Sequence, residues 1–129
     1  MYRYSDGGRK ESGVKGIGKD CAVRAVAIAV GMDYKEAKKI IKDFSANGKC
    51  GSAAISRGVY KDDLDAALRS LGWEWHKAPK FNGRKARYRD IPGTAIVRMS
   101  KHFAAVVDGV LLDSWDSSKK MVYGYWSKA

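Results

Sequence analysis

Asp108-Gly109 sits between two apolar runs, His102-Phe-Ala-Ala-Val-Val107 and Val110-Leu-Leu-Asp-Ser-Trp115. No other feature of the chain restricts its fold so tightly. An Asp-Gly pair joining two strand-like runs favours a two-residue primed turn, whose twist matches that of the strands it joins. Such a turn sets the register, so that Val107 faces Val110, Ala104 faces Asp113 and His102 faces Trp115. Side chains alternate along a strand, which places His102, Ala104 and Asp113 on one face. Asp113 then lies diagonally from His102, about 7–8 Å away between backbones, a gap that an imidazole and a carboxylate can close.

The rest of the chain divides into helices followed by strands. Residues 1–19 hold five glycines and five basic residues with little periodicity, and are expected to form a loop-like arm. Cys21 to Val30 is apolar except for Arg24, which predicts a helix buried nearly all round and closed by Gly31. Asp33-Tyr-Lys-Glu36 matches a capping box and opens a second helix, with Tyr34, Ala37, Ile40, Ile41 and Phe44 on one stripe. Residues 48–58, rich in Gly and Ser, form a loop carrying Cys50. A third helix fits Tyr60 to Leu71, with Gly72 as its stop. Strands are expected over 73–78, 94–99, 102–107, 110–115 and 121–126. This order predicts an α+β fold, with N-terminal helices around the Cys21 helix packed on a C-terminal antiparallel sheet.

A length of 129 residues with 45% hydrophobic side chains and two prolines supports one folded domain. The longest apolar run is ten residues, too short to span a membrane, and the N-terminus lacks a signal-peptide pattern. A cytoplasmic protein is therefore expected. Cys21 and Cys50 are either bridged or two separate thiols, and a reducing compartment favours the thiols. Two Cys and two His at no ligand spacing do not make a metal site, and no cofactor is expected.

The net charge is +11 and unevenly spread. Lys77, Lys80, Arg84, Lys85, Arg87 and Arg89 precede the first acid of that stretch, Asp90. The stretch is either a solvated turn with aromatic flanks Phe81 and Tyr88, or a contact surface for nucleic acid or an acidic protein.

Cys21 opens its helix, where free N–H groups and the helix dipole favour an anion and so lower a thiol's pKa. A nearby imidazolium lowers it further. This makes Cys21 a candidate thiolate nucleophile, His102 its proton partner and Asp113 the group that holds the ring's tautomer. Each residue taken singly has an ordinary structural use. The conjunction is what points to acyl-transfer chemistry. His76, at an exposed-looking strand end, and Cys50, without helix support, are the weaker candidates.

At Asp20-Cys21, Lys101-His102-Phe-Ala-Ala-Val and Asp113-Ser114-Trp115 the chain resembles the papain-like cysteine peptidases, in particular their compact bacteriocin-processing members. It is also similar to small proteins of tailed bacteriophages. The resemblance spans about Lys15 to Trp115 and keeps the order Cys, His, then Asn or Asp. It implies a papain-like fold and a thiol hydrolase acting on a peptide, isopeptide or other amide bond. It further implies that Asp20 and Trp115 support the site, and that Lys15 stands where the family carries its oxyanion-hole Gln. Loss of such a donor costs about 10²–10³ in rate. The alternative is a catalytically silent papain-like module whose basic surface engages nucleic acid or an acidic host protein.

Overall fold

The computed structural model describes residues 1–13, 20–47 and 61–129. Lys15, and residues 48–58 with Cys50, where a loop is expected from the sequence, lie outside these described residues. Among the described residues are three α-helices, α1 (Cys21–Val26), α2 (Tyr34–Asn47) and α3 (Lys61–Ser70). Six strands accompany them: β1 (Tyr2–Tyr4), β2 (Trp73–Lys77), β3 (Thr94–Met99), β4 (His102–Val107), β5 (Val110–Asp113) and β6 (Val122–Lys128). The α+β class is thus observed. None of the described helices is long and apolar enough to cross a membrane.

The strands form one sheet in the order β1-β5-β4-β3-β6-β2. The Asp108-Gly109 turn has positive φ at both residues, 48° and 83°, as a primed turn requires. The hairpin register follows: Val107 pairs with Val110, Val106 with Leu111 and Ala105 with Leu112. β5 ends at Asp113, two residues short of the expected Trp115, because the Asp113 carboxylate takes the Ser114 N–H and turns the chain out of the sheet.

The sheet is mixed, which corrects the expectation of a purely antiparallel one. Tyr2–Tyr4, expected to be part of a loop-like arm, runs parallel to β5. Leu111 N–H donates to Met1 O, and Ser5 N–H to Asp113 O, so the arm covers an edge that would otherwise leave backbone groups unpaired.

Two apolar layers cover the sheet. On one face Ile96, Phe103 and Trp126 pack under the helices, against Val23 and Val26 of α1, Tyr34 and Ile41 of α2, and Leu64 and Leu68 of α3. As its sequence predicts, α1 is largely buried. Its ladder widens over Ala27–Gly31 into a π-helical turn, where Met32 N–H reaches Ala27 O. On the other face Val97, Met99, Ala104, Val106 and Leu111 are covered by Ala86, Tyr88 and Ile91. The basic stretch is therefore more than a solvated loop. Its charges point outward while its apolar residues close the second core, Ile91 alone contributing about 1.5–3 kcal/mol if fully buried.

Candidate active site

β4 and β5 are neighbours, and the hairpin register carries His102 and Asp113 to the same end of the sheet. There Nε2 of His102 lies 2.5 Å from Oδ2 of Asp113, with both residues buried. Asp113 accepts two further hydrogen bonds, from Ser117 Oγ to Oδ2 and from Ser114 N–H to Oδ1, both at 2.7 Å. Its backbone is held as well, since Tyr2 Oη donates to Asp113 O at 3.2 Å. The carboxylate is thus fixed from several directions, and the ring takes its orientation from it.

Cys21 is the first residue of α1 and His102 the first of β4, so the two meet at the sheet's end rather than over its middle. The His102 ring and the Phe103 backbone N–H both face the thiol closely enough to act on its ionisation. Nε2 is committed to Asp113, which leaves Nδ1 as the nitrogen for the thiol. Burial pushes the Cys21 thiol up. The bonds from His102 and Phe103, with the charges of His102 and Arg24, outweigh it and hold the thiol below its ordinary value. Burial likewise opposes charge on His102, yet the hydrogen bonds to Asp113 and then Cys21 raise it to about 9. Both shifts run in the direction that favours the proton on the ring over the sulfur.

Trp115, exposed at 44%, lays its ring 4.8 Å from that of His102. The Asp20 side chain makes no capping bond to the backbone N–H groups that open α1. Its buried carboxylate accepts instead from Arg9 Nε at 2.7 Å, from Tyr34 Oη at 2.5 Å and from Arg24. This ties the N-terminal arm, α1 and α2 together around the residue before Cys21, and the bond to Asp20 leaves the Tyr34 hydroxyl at a pKa of about 12, with burial the larger cause.

The structure therefore brings together Cys21, His102, Asp113 and Trp115, with Asp20 one residue away. His76 is elsewhere: it stacks on Tyr125 in β2, separated from β4 by β6 and β3. Of the basic residues, Lys77, Lys80, Arg84 and Lys85 line one groove. Arg87 donates to Ala86 O and Arg89 is exposed, and neither lines the groove. Ser117 and the Phe103 N–H were not singled out from sequence. Ser117 carries only the faint signal of a hydroxyl soon after Asp113, and a backbone donor carries none. Among the described residues no group of three or more His, Cys, Asp or Glu is placed to hold a metal ion. No protein-family model, curated protein or solved structure matches the chain.

Proposed function

We propose that this protein is a papain-like thiol hydrolase that cleaves an amide bond through Cys21, His102 and Asp113. The observation that carries this reading is the buried His102–Asp113 bond with the Cys21 thiol facing the ring, an arrangement that lowers the thiol's pKa and raises the ring's to about 9. The chain order Cys, His, Asp, with the thiol on a helix and the other two on neighbouring strands, supports the papain-like assignment.

The steps follow from the proton inventory. Cys21 thiolate adds to the carbonyl carbon, and the oxyanion forms near the N–H groups at the start of α1. The tetrahedral adduct collapses, the C–N bond breaks, and the leaving amine takes the proton held by His102. Neutral His102 then removes a proton from water, which attacks the thioester. The C–S bond breaks, and the thiolate–imidazolium pair returns with the acid product. Asp113 stays ionised and keeps the ring aligned. An amine in place of water gives transfer instead of hydrolysis.

Iodoacetamide labelling across pH tests the reading. Wild-type Cys21 reacts with an apparent pKa below that of a free thiol. In His102→Ala burial is left unopposed by the ring, so the pKa rises and labelling at pH 7 falls about tenfold for each unit. Peptide cleavage in the same variant falls about 10²–10⁴-fold. Identical labelling profiles for the two proteins, at an ordinary thiol pKa, would leave only the silent-module reading.

A further inference from the structure

The antiparallel pairings gather the ends of five strands on one side of the molecule. Phe103, the backbone partner of the thiol, pairs with Arg98, Arg98 with Gly124, and Gly124 with Lys77. These four residues form a single row across β4, β3, β6 and β2. Residues paired in this way point to the same face, here the face covered by α1. Adjacent strands are about 4.8 Å apart, so the row runs about 14 Å from Phe103 on β4 to Lys77 on β2. About four residues of an extended chain cover that distance.

At the far end of the row lies a groove of about 530 Å³. Its floor is apolar, with Ala86, Met121 and the Trp75 ring. Gly124 makes room for that ring, since a Cβ there would lie 2.3 Å from its carbons. Around the floor stand Lys77, Lys80, Lys85 and Arg98, and no acidic residue lines the groove. Arg84 is already answered by a two-pronged bond to Asp90, at 2.8 and 3.0 Å. Lys77, Lys80 and Lys85 are exposed, and the half-buried Arg98 holds its guanidinium 5.8 Å from the Tyr123 ring. Four cations facing one apolar groove repel one another, and their complement is a ligand that brings carboxylates and an apolar side chain together.

We infer that this groove is the recognition site for an acidic segment of the substrate, held a few residues from the bond that Cys21 attacks. The inference rests on the hydrolase reading, because acyl chemistry at the thiol is what makes the ligand a peptide. The cations ring one apolar groove instead of tracking along the surface as a nucleic-acid backbone requires, which favours a peptide over a single strand.

Binding to the full chain carrying Cys21→Ala, which cannot turn over, tests the inference by fluorescence anisotropy. Three labelled probes are compared: a Glu- and Asp-rich peptide with a central Leu, the same peptide with Gln and Asn for its acids, and an oligothymidine of equal charge. The acidic peptide is expected to bind at least about tenfold more tightly than either of the others. Lys77→Glu with Lys85→Glu removes that preference. Lys35→Glu with Lys39→Glu, an equal change of charge at exposed positions of α2, retains it. Equal binding of the two peptides, tighter binding of the oligonucleotide, or equal loss in the two double variants would overturn the inference. The outcome is independent of the thiol. Preserved preference with an inert Cys21 leaves the groove and removes the hydrolase, and a reactive Cys21 with no preference does the reverse.

Discussion

At the scale of the residue, Asp113 carries the site. One carboxylate accepts from His102 Nε2, Ser117 Oγ and Ser114 N–H. A carboxylate only accepts, which suits three surrounding donors, whereas an Asn would turn two donors of its own toward them. Asp113→Asn is therefore expected to lower His102 from about 9, since Asp113 supplies the largest upward pull and burial acts the other way. Titration of the His102 ring by NMR measures this, and a value still near 9 would contradict the assignment. His102 and Asp113 were legible in the sequence, because a turn and an alternation place them together. Asp20 was legible only as the neighbour of Cys21. Its partners Arg9 and Tyr34 come from other segments, and no local pattern announces them.

At the scale of the element, the hairpin is the most consequential piece. Gly109 sits at φ 83°, where a Cβ is strained, so Gly109→Ala is expected to destabilise the protein by about 1–2 kcal/mol. Urea unfolding measures this, and an unchanged midpoint would mean that the turn has relaxed to another type. β3 and β4 appear at their expected bounds because each is a short near-continuous apolar run, as a strand buried on both faces requires, and each is followed by a turn. β1 was not legible, since Tyr-Arg-Tyr has no apolar pattern and becomes a strand only because β5 offers an open edge. In the stretch from Lys77 to Asp90 the charges dominate the sequence, and the burial of Ala86, Tyr88 and Ile91 depends on a sheet face that no nearby residue reveals.

At the scale of the whole molecule, proton binding links the site to folding. The unfolded chain loses the His102 proton above 6.5 and the Cys21 proton near 9.0. In the native state His102 is raised and Cys21 is lowered. The raised His102 contributes stability that is full below pH 6.5 and is lost as pH rises through about 9. The lowered Cys21 contributes stability that is full above 9.0 and is lost as pH falls through its native value. Where both apply, the two slopes with pH have opposite signs and offset each other. Cys21→Ala removes one half of this balance. Its stability is expected to fall as pH rises above 6.5, with a slope of at most about 1.4 kcal/mol per unit, read from urea unfolding at several pH values. A wild type as steep as the variant would show that no proton moves from thiol to ring. The sequence by itself determined the helix-then-strand order, the hairpin register and the shared face of His102 and Asp113, because periodicity and turn geometry are local. Tertiary structure alone decided that Cys21 meets the ring, that the N-terminal strand closes the sheet edge, and that a basic groove opens at the end that holds the thiol. Those outcomes depend on which surfaces stay uncovered once every element has packed, and no single stretch of sequence carries that information.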